Sequence, residues 1–183
     1  MSAKPVVATS LALGCLIFIL GFRSGGQDKI TQQEQAAARK ALDSYVKSRL
    51  RHDDWPRYSS LVTWTDEPSW DCHWVTRNYR VGRPSIAADR VTIPVIYVRL
   101  GVFCGDFDFT PERSTVTVDY ELVRQTEVWK VDGPIPDYRD LSVDVLIGML
   151  KRRANSSAES PDRRSRFNTA VGELTSVKKE TAR

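Results

Sequence analysis

Asp71 and His73, in Ser69-Trp70-Asp71-Cys72-His73-Trp74, are the residues whose types and spacing come closest to chemistry. Two positions apart on an extended segment, their side chains leave one face of the backbone, and a carboxylate there could orient an imidazole for proton transfer. No third group and no substrate motif accompanies them. If Trp70, Cys72 and Trp74 form the buried face of that strand, both candidates stand in water as ordinary surface residues. His52, the only other histidine, ends a predicted helix in Arg49-Leu50-Arg51-His52-Asp53-Asp54-Trp55. A cation there favours the helix dipole, so its expected role is structural.

Other chemistries find less. Asp106-Phe107-Asp108 follows Gly105 as in a calcium loop, but the twelve-residue ligand pattern ending in glutamate is missing, so a turn is expected. No histidine pair has metal-ligand spacing, no glycine-rich loop opens a helix, and no Gly-x-Ser-x-Gly occurs. Neither a cofactor nor a metal is therefore expected. Trp55, Trp64, Trp70, Trp74 and Trp129 could line a ligand pocket, but large aromatics more often fill the core of a small domain.

Of three cysteines, Cys15 lies in an apolar leader, while Cys72 and Cys104 sit 32 residues apart among strand-like residues. That separation has no metal-site logic. In an oxidising compartment a Cys72–Cys104 disulfide is the economical reading; two separately buried thiols are the alternative.

The leader sets the topology. Pro5 to Phe22 is uncharged, with Lys4 before it and Arg23 after, and its length just suffices to span a bilayer. It exceeds the usual apolar core of a cleaved signal, and no clear Ala-x-Ala site follows. A retained anchor is favoured, with a cleaved export signal as the alternative. Leu11-Ala12-Leu13-Gly14-Cys15 is an imperfect lipidation box, since apolar residues continue beyond the cysteine. The flanking charges do not decide orientation. The tiny stub before the anchor and the cysteine pair favour a domain outside the cytoplasm.

Net charge is +4, unevenly spread: residues 151–183 hold nine Lys/Arg against four Asp/Glu, and the first 150 hold eighteen against nineteen. A near-neutral folded part argues against a nucleic-acid-binding core. The organisation expected is an anchor or export signal over 1–26, one globular domain over 27–154, and a basic, flexible polar tail over 155–183. That tail could contact acidic lipid or nucleic acid, and Phe167, Val171 and Leu174 within it have helical spacing.

Within the domain, Thr31 and Glu34 make a capping box, and Ala38, Leu42, Tyr45 and Arg49 recur at helical spacing toward His52. Residues 57–64 read as a short helix or a bend. Strands follow from Trp70 to about Val81, from Val91 to Phe103 with an edge or bulge at Pro94, and from Ser114 to Arg124. A short partner strand runs from Glu127 to Asp132, and a last helix begins near Ser142 and stops near Arg153. The fold class is α+β: an N-terminal helix on a curved antiparallel sheet of about four strands, plus a C-terminal helix.

The final hairpin, Tyr120-Glu121-Leu122-Val123-Arg124-Gln125-Thr126-Glu127-Val128-Trp129-Lys130-Val131-Asp132, preceded by a helix and curved strands, resembles the nuclear-transport-factor-two-like superfamily over about residues 31–132. The resemblance implies a cone-shaped α+β domain. Members with a membrane helix include scaffold subunits of secretion machines, and some soluble members are enzymes using an acidic residue or histidine in the cone. The chain departs from the family in its extra helix after the hairpin and in lacking clear second and third early helices. Fold alone does not choose a function. The expectation is a non-enzymatic, membrane-tethered interaction domain whose partner is another envelope or membrane protein. The alternative is a small-molecule or enzymatic pocket built on Asp71 and His73.

Overall fold

The computed structural model describes residues 30–180, apart from 67, 68, 70, 88, 106 and 136. The leader, Cys15, Trp70 and Asp106 therefore lie outside the described residues. No helix among the described residues is long and apolar enough to cross a membrane.

Helix α1, Gln32–Leu50, starts on the expected capping box: Thr31 accepts from the Glu34 amide, and the Glu34 carboxylate accepts from the Thr31 amide. It ends in a Schellman turn, with His52 in the left-handed region at φ 61. The amide of Asp53 donates to Ser48 and that of His52 to Arg49, satisfying carbonyls the helix leaves open. A short α2, Trp55–Tyr58, and a 3-10 turn, Ser59–Leu61, follow.

The strands are β1 (Cys72–Val81), β2 (Ser85–Ala87), β3 (Arg90–Cys104), β4 (Asp108–Gln125), β5 (Val128–Gly133) and β6 (Arg139–Ser142). The order is β5-β4-β3-β1-β6, with β2 also on β3, so the described sheet has six strands where about four were expected. It is mixed, because β6 runs parallel to β1. Bulges in β1 and between β3 and β4 kink the long strands and strengthen their twist. Gly101 at one bulge is fixed sterically: a Cβ there would lie 2.2 Å from the Thr110 carbonyl oxygen.

Pro94 sits in a central strand, but at the gap where β1 ends opposite Val95 and β2 starts opposite Thr92. Only the Gly82 amide reaches its carbonyl there, at 2.7 Å, so the missing proline N–H breaks no ladder. The β4–β5 hairpin turns on Thr126 and Glu127, both at positive φ as a type I′ turn requires, one position later than the sequence suggested.

Two cores flank the sheet. On its inner face, α1 buries Ala38, Leu42, Tyr45 and Val46 against Val91, Ile93, Val95, Tyr97, Tyr120, Leu122, Trp129 and Val131. On the outer face, α3 (Val143–Ala154) and α4 (Pro161–Glu180) pack on Val75, Leu100, Phe103 and Leu141. Helix α4 replaces most of the flexible tail expected over 155–183. Phe167, Ala170 and Leu174 are buried on it, because the apolar stripe Leu146-Leu150-Ala154 of α3 needs a cover that water cannot supply. Cys72 and Cys104 are disulfide-bonded, joining β1 to β3 at their paired ends.

Candidate functional site

The inner face of the sheet, where a cone would hold a ligand, is occupied by the protein's own polar side chains. The buried charged residues among those described are Arg49, Arg99, Arg139 and Asp140. Asp140 on β6 accepts from Thr76 Oγ1 at 2.9 Å and from Arg99 Nε and Nη2 at 3.0 and 3.2 Å. Arg99 also stacks 4.5 Å over Trp74. Arg49 Nη1 donates to the Tyr45 hydroxyl and Nη2 to the Tyr138 carbonyl, while Arg139 Nη2 donates to the Asp53 carbonyl. The Tyr97 and Tyr120 hydroxyls share a 3.1 Å hydrogen bond, and Tyr45 meets Tyr58, Trp64 and Tyr120 edge-on. Burial raises the pKa of Tyr45, Tyr97 and Tyr120, so all three stay neutral phenols. The geometry is that of a filled, hydrogen-bonded interior.

The described tryptophans, Trp55, Trp64, Trp74 and Trp129, join the same interior. Trp129 is buried, Trp55 and Trp64 pack against the inner core, and Trp74 lies beneath Arg99 and beside Tyr138.

Asp71 and His73 are not joined. Asp71 is exposed; its carbonyl accepts from the Gly105 amide, and no hydrogen bond or ion pair links its carboxylate to His73. His73 is half-buried, not in water, because α3 covers the outer face of β1 as the inner core covers the other. Its partner is His52, with ring centroids 6.0 Å apart. The two line a pocket of about 100 Å³ with Phe103, Leu146, Leu150 and Arg153. His73 Nδ1 is buried with no hydrogen-bond partner among the described residues, and its pKa is pushed down to about 4 by burial first, then by His52, Arg139 and Arg49. A neutral imidazole in an apolar setting with no carboxylate is poorly equipped for proton transfer. No group of three His, Cys, Asp or Glu able to hold a metal occurs among the described residues.

The open site lies elsewhere, between α1 and the free edge of β1. Strand β6 pairs with β1 only from His73↔Arg139 to Thr76↔Ser142 and then turns into α3. Residues 77–81 therefore have β3 on one side and no strand on the other among the described residues. Two adjoining recesses, about 360 and 640 Å³, follow that edge and share Lys47 and Tyr79. The first reaches Ser142 and Val145 at the start of α3; the second runs along α1 past Lys40 and Arg39. Arg39 closes the far end, donating to the Val81 and Gly82 carbonyls at 2.9 and 3.1 Å.

Among the described residues six cations line the groove, Arg39, Lys40, Lys47, Arg51, Arg77 and Arg80, and one acid, Asp43. Asp43 is taken by Lys47 at 2.6 Å and by the Tyr79 hydroxyl at 2.7 Å, contacts that hold its carboxyl below the ordinary range against the opposing effect of burial. The sequence reading missed this groove. Its signal is the basic residues spaced along the exposed side of α1 facing Arg77 and Arg80, and neither half is conspicuous alone.

Comparison with protein-family models, curated proteins and solved structures finds no significant match.

Proposed function

We propose that this chain is a non-enzymatic interaction domain of the nuclear-transport-factor-two-like type, tethered to a membrane by residues 5–22 and facing out of the cytoplasm. The observation that carries the reading is the contrast between interior and edge. The inner face is plugged by Arg49, Arg99, Asp140 and three tyrosines, whereas the α1–β1 groove is open and highly charged. A sheet edge beside a charged groove suits a protein partner. The helix lying across the inner face of a bulged sheet supports the superfamily resemblance. The uncharged stretch 5–22 supports the tether, and the Cys72–Cys104 disulfide supports an oxidising compartment. The partner is then another envelope or membrane protein. The enzymatic alternative has less support, since Asp71 and His73 do not meet.

Photocrosslinking in intact cells tests this. Benzoylphenylalanine in place of Lys40 or Arg80 should crosslink the chain to another protein, and in place of Thr117, on the uncovered part of the outer face, should not. No protein adduct from either groove position would overturn the reading.

A further inference from the structure

We propose that the groove takes an extended acidic segment of a partner protein, which adds to the sheet as a strand beside residues 77–81. This rests on the interaction reading above and names the chemistry of the partner.

Backbone alternation fixes what the edge offers. The Gly82 amide bonds the Pro94 carbonyl, so the Gly82 N–H, and by alternation the backbone groups of Arg80 within the strand, are directed toward β3, while the Gly82 carbonyl, past the strand's end, accepts from Arg39. In an antiparallel ladder the intervening residues point the other way. Tyr79 and Val81 thus aim N–H and C=O away from the sheet, and the Arg39 guanidinium on the Val81 carbonyl is consistent with that direction. Because Arg39 already occupies that carbonyl, the Tyr79 N–H and C=O and the Val81 N–H remain for a strand. An added strand would continue the line of β6 beyond Ser142, with the helix start at Val143 on its flank.

Charge selects the occupant. The side chains of Lys40, Arg51 and Arg80 have no carboxylate partner among the described residues, and the only acid in the groove is already shared. A second copy of this chain would bring the same cations against them, which disfavours self-pairing. An acidic strand gains both the backbone bonds and the charge contacts, the mode in which main-chain pairing gives affinity and side chains give specificity.

The test uses the full chain in neutral detergent and three capped octapeptides: alternating glutamate and valine, alternating lysine and valine, and a Glu-Pro peptide of the same four glutamates with four prolines set in adjacent pairs. The last has the charge of the first, but its paired prolines remove amides from both edges of a strand. The Glu-Val peptide should bind, the Glu-Pro peptide about tenfold or more weakly and the Lys-Val peptide not measurably. Bound Glu-Val peptide should slow amide exchange at Tyr79 and Val81. Lys40→Glu and Arg80→Glu should each weaken it about tenfold, with unchanged thermal midpoints showing that both variants fold. Equal binding of the Glu-Val and Glu-Pro peptides, no binding of either, or protection confined to the β4 edge would overturn the inference. If Lys40 and Arg80 crosslink a protein in cells while the Glu-Val peptide fails, the partner chemistry falls and the interaction reading stands. If neither position crosslinks, that reading falls first.

Discussion

The two faces of the sheet are packed by opposite means. Inside, α1 closes over tyrosines, three arginines and an aspartate joined to one another or to backbone carbonyls by hydrogen bonds of fixed direction. Outside, α3 and α4 close over Val75, Leu100, Phe103, Leu141, Phe167 and Leu174, a core that is almost wholly apolar. Apolar contacts are non-directional and scale with area, so the outer core should lose stability in proportion to what is removed. The inner core is different in kind, because removing one partner strands another in a low-dielectric interior. A filled polar interior also leaves little room for a ligand.

Asp140→Ala gives the sharpest break in that comparison. It leaves the Arg99 guanidinium, 7% exposed, without its carboxylate, and breaking a buried pair by one partner costs about 3–5 kcal/mol. Urea unfolding should show that loss, while the double replacement Arg99→Met with Asp140→Leu should lose less than Asp140→Ala alone. If the double variant is the less stable one, the pair is more than locally compensated charge. Phe167→Ala probes the other face: deleting this fully buried ring should cost about 3 kcal/mol through lost burial and a cavity. Leu174→Ala should then add nearly independently of Asp140→Ala, since Leu174 packs in the outer apolar core and Asp140 bonds Thr76 and Arg99. Strong coupling between the faces would contradict the two-core description.

The same contrast explains what was legible in the sequence. Residues with a clear period were: Ala38, Leu42 and Tyr45 set α1, and Thr31 with Glu34 set the helix start. The disulfide followed from two cysteines on strand-like residues, and it joins register partners. Strand β6 was not legible because Arg139-Asp140-Leu141-Ser142 has no alternation, and its two charged residues are buried only by virtue of distant partners. Helix α4 was hidden for a related reason. Polar and charged residues dominate its composition, although Arg163 and Arg166 lie over Phe107 and Phe167 and lend their stems to the outer core. The groove was invisible because it depends on where β6 stops, a fact of pairing and not of composition. Asp71 and His73 had suitable spacing, but spacing says nothing of which helix covers a face.

His73 is the polar intrusion into the apolar side, and it gives the smallest of these effects. It meets His52 from the end of α1, Leu146, Leu150 and Arg153 from α3, and the charges of Arg139 and Arg49 from the inner layer. Burial and those cations lower its pKa to about 4, against about 6.5 in an unfolded chain. The folded state thus prefers the neutral ring, and its contribution is fully present above pH 6.5 and declines as pH falls toward 4. His73→Gln cannot gain that proton, so its stability between pH 7 and pH 4.5 should fall less steeply than that of the unaltered chain. His52→Gln should flatten the same window only in part, by removing one nearby positive charge. Parallel slopes for the unaltered chain and His73→Gln would mean that the outer core admits water at His73, and the division into a polar inner and an apolar outer face would have to be redrawn at α3.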